Sequence, residues 1–277
     1  MASVLPTIHI DPQRCVRCAS CVKDCLAKIL TLPSEGLPEF ISGGAARCFR
    51  CQHCLAICPT GALSWSDKTP DNSQPPGIIP KPEHMLNLIR QRRSIRSFRP
   101  ENVPMAVFNQ LLDAMKFVPT GCNDHRLFFS CSETRDSTDI MRKRAAESVL
   151  NMIRSGTLPQ RIAHFAAMKP ALEAGVDTFF RGAPHFVAVS VPPDAKDAHI
   201  DPYIAATQFE LFANCFGLGT CWGGMATDLL LAVPNLYKHL NLPKGYDLKI
   251  VLLFGYPAVK YARTPQPVPC GHTSVVF

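Results

Sequence analysis

The chain has 277 residues, 47% of them hydrophobic and 18% charged, which is enough apolar material for a small module plus one large domain. Its longest apolar runs, such as the IVLLFGYPAV stretch flanked by Lys249, are too short to span a bilayer, which excludes a membrane helix. The formal charge of +7 is not laid out as a basic stripe interleaved with aromatic residues, so nucleic acid is excluded as a partner.

The first feature in chain order is a ladder of cysteines. Cys15, Cys18, Cys21 and Cys25 follow C-x2-C-x2-C-x3-C, and Cys48, Cys51, Cys54 and Cys58 repeat it, with Pro59 after the last. The flanks repeat as well, IDPQRCVRCASCVKDCLAKIL against SGGAARCFRCQHCLAICPTGAL, offset by 33. A cubane cluster needs a thiolate at each of its four iron corners, and three cysteines at intervals of three in one tight loop can wrap three of them. Structural zinc also takes four cysteines, but it favours paired C-x2-C knuckles over complete runs of this kind.

The ladder resembles that of the two-cluster bacterial ferredoxins, which implies two [4Fe–4S] clusters and one-electron transfer. In that fold the fourth cysteine of each run ligates the other cluster. The resemblance therefore assigns one cluster to Cys15, Cys18, Cys21 and Cys58, and the other to Cys48, Cys51, Cys54 and Cys25. Leu26 stands where a proline usually follows the first run. Thirteen cysteines would suggest disulfides in a secreted miniprotein, but eight are claimed here as cluster ligands. The N-terminal MASVLPTIHI lacks a basic stretch followed by a long apolar core, and the expected compartment is the cytoplasm.

Residues 1–65 are expected to form the two-cluster, ferredoxin-like module, in two pseudo-symmetric halves. Residues 66–82 contain Pro70, Pro75, Pro76, Pro80 and Pro82 without helical or strand period, and read as a semi-rigid linker. Residues 83–277 form the second domain. Helices are expected near Glu83–Gln91, with Pro82 suited to the first position, and near Pro104–Phe117, with Val107, Leu111, Leu112 and Met115 on one face. Arg126–Ser132 reads as a strand, 138–154 and 159–173 as helical, and His185–Val191 as a buried strand. Asp201–Phe216 is a strongly apolar helix stopped by Gly217 and Gly219. Residues 226–241 read as helical and Leu248–Gly255 as another apolar strand. Helices dominate and the strands are scattered, so the domain reads as α+β.

Four separated segments of this domain are basic or glycine-rich and lie at element ends. Arg92-Arg93-Ser94-Ile95-Arg96-Ser97-Phe98 crowds guanidiniums that repel one another unless an anion joins them; taken alone, a solvated basic turn has the better odds. Pro119-Thr120-Gly121-Cys122-Asn123-Asp124-His125 offers small polar groups to the edge of a flat ligand, or is ordinary turn chemistry. Gly217-Leu218-Gly219-Thr220-Cys221-Trp222-Gly223-Gly224 lets backbone amides approach a ring, or is a helix stop with a packing tryptophan. Gly255-Tyr256-Pro257 precedes Lys260, Tyr261 and Arg263, cations suited to phosphate.

Together RRSIRSF, PTGCN, DPYIAATQFELFANCFGLGTCWGG and LFGYP followed by basic residues resemble the nitroreductase-like family of FMN flavoproteins. The resemblance covers nearly all of residues 83–263. With the N-terminal module, the chain is similar to the ferredoxin-fused branch of that family. The implied fold is a mixed, mostly antiparallel sheet flanked by helices, with FMN bound noncovalently at a homodimer interface. By family pattern, Arg92 and Ser94 hold the phosphate and ribityl chain with Arg93 nearby, and Arg96 sits at the N1/O2 edge of the flavin. Thr120 and Asn123 bond the ring edge or ribityl, and the amides around Trp222, Gly223 and Gly224, with Cys221 beside them, face N5 and O4. Arg263 and Lys260 close the phosphate site, and the helix from Asp201 is a buried dimer element. Many relatives have Gln-Pro-Trp after the Asn loop, where this chain has His125, Arg126 and Leu127, which changes the wall of the substrate pocket. The positive formal charge then becomes an internal balance for two anionic clusters and a phosphate.

The remaining candidates read as bland. Cys122, Cys131, Cys215, Cys221 and Cys270 lack ligand spacing and suit small buried positions. The nine histidines form no metal pattern, and His53 lies within a cluster loop. The resemblance implies a flavin-dependent oxidoreductase with no catalytic side chain, the reactive centre being FMN N5. Electrons would come from a ferredoxin-like partner or NAD(P)H and leave to a small planar acceptor such as a nitroaromatic or quinone. A noncatalytic electron carrier or redox sensor, and a flavin dehydrogenase running in the opposite direction, are the alternatives.

Overall fold

The computed structural model describes residues 4–275; the outermost residues of the two expected domains, 1–3 and 276–277, lie outside it. The chain divides into two compact units. One ends at Ile79 and takes in Cys122–Asp124, and the other holds Pro80–Gly121 and the residues from His125 on.

The first unit is built twice over. β1 (Ile8–Ile10) pairs antiparallel with β4 (Leu63–Trp65), and β2 (Leu30–Thr31) pairs antiparallel with β3 (Glu39–Phe40). Each cysteine loop ends in a short helix, α1 (Ser20–Asp24) or α2 (His53–Ala56). Cys21, Leu30, Leu55, Leu63 and Trp65 are its buried hydrophobic cluster. After β4 the chain turns back on itself, with Trp65 bridging Lys68, and makes one 3-10 turn at Pro70–Asn72. Residues 74–81 are exposed and carry neither helix nor strand.

The second unit is organised on a four-stranded antiparallel sheet of order β5 (Phe128–Cys131), β6 (His185–Val191), β8 (Asp247–Gly255), β7 (Gly219–Trp222). Every residue of β6 is buried because successive side chains face two different cores. Phe186 and Ala188 join one, and Val187 and Val189 join the other. Along β8 this alternation slips once. Leu248 and Ile250 lie two apart yet face opposite cores, because the β6–β8 register shifts between Val189 and Ser190 and Lys249 is the extra residue.

One face of the sheet is covered by α5 (Arg135–Ser155), the 3-10 segment Gln160–Met168, α6 (Lys169–Glu173), α8 (Gly224–Ala232) and α9 (Pro234–Tyr237). The other is covered by α4 (Met105–Ala114) and α7 (Asp201–Cys215). Thr134 starts α5 by accepting the Ser137 amide at 3.2 Å, and Gly156 ends it in the left-handed conformation at φ 67°. α3 (Pro82–Gln91) starts with its proline at the first turn and buries none of its side chains.

The expected helical stretches and the two apolar strands are present, with the second and sixth stretches ending in 3-10 turns at Met115–Phe117 and Lys238–Leu240 and the fourth mostly 3-10, Gln160–Met168, before α6. One element differs. The glycine-rich stretch after α7 is the edge strand β7, because the Gly219, Thr220, Cys221 and Trp222 backbones pair with β8. The apolar side of α7 is largely accounted for inside its own unit, where Ala205, Ala206, Phe209 and Ala213 pack into the sheet.

His185 is fully buried at the start of β6. Its Nε2 accepts the Val103 amide at 2.9 Å, and its Nδ1 donates to the Ser132 carbonyl at 2.9 Å, which requires a neutral ring. Burial lowers its pKa below 6.5, outweighing the bond to Ser132. Protonation is then easier in the unfolded chain than in the folded one. The contribution of His185 to stability is complete above about pH 6.5 and is lost as pH falls toward its depressed folded value. Chemical denaturation between pH 7 and 5, followed by Trp222 fluorescence, should show a smaller acid loss for His185→Gln than for the parent; equal losses would refute the assignment.

Candidate functional site

In the first unit each cysteine run is bent by backbone that L-residues seldom adopt. Arg17 and Ala19 have φ of 54° and 58°, and Arg50 and Gln52 have 57° and 58°, at matching places in the two loops. Left-handed backbone costs a non-glycine residue about 1–2 kcal/mol, so four such positions need something that holds the loops in shape. Two of the side chains contribute: Arg17 donates to the Pro33 and Ser34 carbonyls, and Arg50 to that of Val4.

The loops line two cavities, the first the larger. Cys25, Cys48, Cys51 and Cys54 line the first, and Cys15, Cys18, Cys21 and Cys58 line the second. Each wall takes three cysteines from one run and one from the other. Among the described residues no three His, Cys, Asp or Glu side chains converge as they would on one metal ion. A cubane asks for something different, one thiolate at each separated iron corner.

The donor chemistry fits such a group. Burial pushes the Cys54 thiol up to about 11 and also raises that of Cys21, so thiolates there need a cationic partner, which iron supplies. The Ser20 hydroxyl, 3.3 Å from Cys18 Sγ, pulls the Cys18 pKa down. Burial works against ionising Cys58, but the hydrogen bonds of Ala62 and Thr60 outweigh it and its pKa ends lower. The Ala62 and Arg50 amides donate to the sulfurs of Cys58 and Cys48 at 3.2 and 3.4 Å. Trp65 lines the larger cavity, and its buried Nε1–H has no protein partner among the described residues; a cluster or thiolate sulfur would answer it. His53 Nδ1 stands 3.1 Å from Asp24 Oδ2, tying the residue before Cys54 to the one before Cys25.

In the second unit three of the four singled-out segments meet along the edge of the sheet. The Ile95 amide donates to the Thr220 carbonyl at 2.7 Å, and Ser94 bridges Thr220 in parallel. Further on, Arg99 donates to the Tyr256 carbonyl at 2.8 Å, Ala258 to that of Ser97 at 2.9 Å, and Phe98 bridges Pro257. The arginine segment is thus stitched to β7 and to the end of β8. Arg93 lies over the Tyr261 ring at 4.6 Å, while Lys260, Arg263 and Arg96 are exposed. Burial pushes the Cys221 thiol up and the Arg96 and Arg181 charges only partly reverse it, so it is a packing residue rather than a nucleophile.

The residue that sequence reasoning missed is Glu210. Its side chain is 5% exposed, on an otherwise apolar stretch of α7. Oε1 accepts from Thr220 Oγ1 at 2.9 Å and Arg92 Nη1 at 3.3 Å, and Oε2 accepts from Trp222 Nε1 at 3.2 Å. The one signal for it was an acid inside a buried helical run. Trp222 also lies parallel to Tyr203, at 6.2 Å between centroids. The Gly223 amide is committed to the Val251 carbonyl at 2.8 Å, whereas a Cβ on Gly224 would meet nothing within 4 Å. The backbone at the start of α8 is therefore open to a flat ligand.

The fourth segment is held at the other end of α7. The Gly121 amide donates to the Asp201 carboxylate at 3.1 Å, and Thr120 Oγ1 accepts the His125 amide at 2.9 Å. Asp201 and Glu210 are about 14 Å apart along the helix at 1.5 Å per residue. Asn123 belongs to the first unit, and its Nδ2 donates to the Phe49 carbonyl at 3.0 Å. Arg126 pairs with Asp194 at 3.0 Å.

Residues 89–256 match the model of the nitroreductase family, and residues 14–63 match that of a 4Fe-4S dicluster domain. Among solved structures, a nitroreductase with bound FMN from Bacteroides fragilis is 19% identical, with a TM-score of 0.56 over 70% of this chain and 98% of that one. An FMN-dependent nitroreductase from Clostridium difficile is 19% identical, with a TM-score of 0.52 over 70% and 100%. A nitroreductase with bound FMN from Desulfitobacterium hafniense is 19% identical, with a TM-score of 0.53 over 67% and 94%. These likenesses bear on the fold. No curated protein matches the chain.

Gly219 lets the arginine segment lie on β7. A Cβ there would fall 2.4 Å from Ile95 Cγ1, 2.9 Å from Ile95 Cβ and 3.0 Å from Pro257 Cγ. Gly219→Ala should cost about 1–3 kcal/mol of unfolding free energy through overpacking, read by chemical denaturation; a change under about 0.5 kcal/mol would show that the stitch is loose.

Proposed function

The chain belongs to the nitroreductase family, and we propose that it is an FMN-dependent oxidoreductase that passes electrons between two [4Fe–4S] clusters, FMN and a small planar acceptor such as a nitroaromatic or quinone. The observation that carries this reading is the pairing within one chain. Two cavities are each lined by four cysteines drawn from both runs, and an arginine segment is stitched to a glycine-rich strand in the unit that follows. When bound, the clusters carry single electrons, and FMN takes up two and can release them singly.

The cluster ligands are proposed as Cys15, Cys18, Cys21 and Cys58 for one centre, and Cys48, Cys51, Cys54 and Cys25 for the other. Arg92 and Ser94 hold the FMN phosphate and ribityl chain, with Arg93 beside them and Lys260 and Arg263 closing the site from the chain beyond β8. Arg96 lies at the N1/O2 edge, where its fixed charge favours the reduced, anionic ring. Thr120 and Asn123 serve the ring edge or ribityl. Trp222, Gly223 and Gly224, with Cys221 behind them, line the N5 side; because the Gly223 amide is already bonded, the Gly224 amide is the donor left for the ring. None of the chain's own groups acts as a nucleophile or proton donor in this scheme, and the reactive centre is N5 of the flavin.

The electron donor is proposed as a ferredoxin-like protein or NAD(P)H. A second copy of the chain is proposed to cover α3, whose Met85, Leu86 and Ile89 are exposed at 40%, 43% and 52%. No described helix is long and apolar enough to cross a membrane. The cytoplasm is proposed as the compartment because eight of the thirteen cysteines are assigned to clusters rather than disulfides.

Anaerobic purification should yield about eight irons per chain together with one FMN, and the protein should reduce nitroaromatics or quinones. Cys54→Ala should slow turnover fed by reduced ferredoxin while sparing reduction of the flavin by NAD(P)H. A colourless zinc protein would overturn the cofactor assignment. Bound cofactors without turnover on either class of acceptor would replace the enzyme with an electron relay.

A further inference from the structure

Glu210 stands out because nothing in an apolar helix calls for a carboxylate. A buried carboxylate is stable only when donors surround it. Here the donors come from three places: Arg92 at the head of the arginine segment, Thr220 in β7, and Trp222 at the end of β7. Two of them belong to the sheet edge and hold the carboxylate still. The third is mobile by nature, since a free arginine side chain samples many rotamers. The Arg92 side chain is 36% exposed against 5% for Glu210, so the ion pair sits with its cation outermost. A guanidinium has five N–H donors, and the contact with Oε1 uses one of them.

We propose that Glu210 is a positioning residue for the cofactor's phosphate: anchored by Thr220 and Trp222, it holds the Arg92 fork in one pose from which the remaining donors meet the phosphate. The proposal rests on the FMN reading above. An arginine already ordered gives up less rotamer freedom on binding, so affinity for a phosphate-bearing ligand rises. Glu210 itself touches no phosphate. A phosphate held by the remaining Arg92 donors would be screened from Glu210 by the guanidinium's own charge.

Flavin binding to the full-length, flavin-stripped protein separates this role from a general packing role. FMN and riboflavin differ only in the phosphate, and both can be titrated by quenching of flavin fluorescence. Glu210→Gln should weaken FMN about tenfold, the loss of one charge-assisted contact, and leave riboflavin unchanged. Arg92→Ala should also weaken FMN selectively, and adding Glu210→Gln to it should change nothing further, because the carboxylate acts through the arginine. Unchanged FMN affinity in Glu210→Gln would overturn the proposal, as would equal losses of FMN and riboflavin or additive effects in the double variant. If Glu210→Gln does not fold, Thr220→Val removes one anchor of the carboxylate and should give a smaller loss with the same selectivity; FMN binding as tight as in the parent would overturn the proposal. A parent protein that binds neither flavin would sink the FMN reading itself.

Discussion

A carboxylate in a dry interior has to be answered by hydrogen-bond donors, and the arrangement of the flavin domain follows from how this is done for Glu210. The donors available are the Thr220 hydroxyl, the Trp222 indole and the Arg92 guanidinium. Bringing them to one point requires β7 to run along the edge of β8 and the arginine segment to lie on β7. Both conditions are met by backbone pairing, and the second is possible because Gly219 leaves room for Ile95. Segments separated by more than a hundred residues in sequence thereby become one surface.

The cysteine module meets a comparable constraint with thiols. Left neutral, the half-buried Cys54 and the buried Cys21 are inert, and the left-handed backbone in the loops carries a conformational cost. An iron–sulfur group answers both by ionising the thiols and by tying the loops through bonds far stronger than the strain. The exchange of one cysteine between runs has a further effect. Neither cavity can be completed by one half of the repeat alone, so the two halves must fold together.

Much of this was legible in the sequence, and the gaps have physical reasons. The cysteine spacing is a local property, so the ladder could be read directly. β6 and β8 are long, apolar and bounded by turn residues, and were found at their observed places. β7 is only four residues long and begins with glycine, so it looked like a turn; its identity comes from pairing with β8, which no local pattern encodes. Glu210 was hidden because the apolar character of α7 was read as a whole, and a single acid changes that average little. The extra residue at Lys249 was invisible for a different reason, since a bulge is a relation between two strands. Pairings between distant segments, such as Ser94 with Thr220, are likewise encoded by no local pattern.

The two units are unequal in what holds them together. The flavin domain has two extensive apolar clusters on either side of its sheet, whereas the cysteine module rests on Cys21, Leu30, Leu55, Leu63 and Trp65. A core that small leaves most of the cohesion to inorganic bonds. Oxygen, which attacks such centres, would therefore dismantle one half of the molecule and spare the other. Material handled in air would fade from brown toward yellow while its larger half stayed folded, so its colour would report which half had survived.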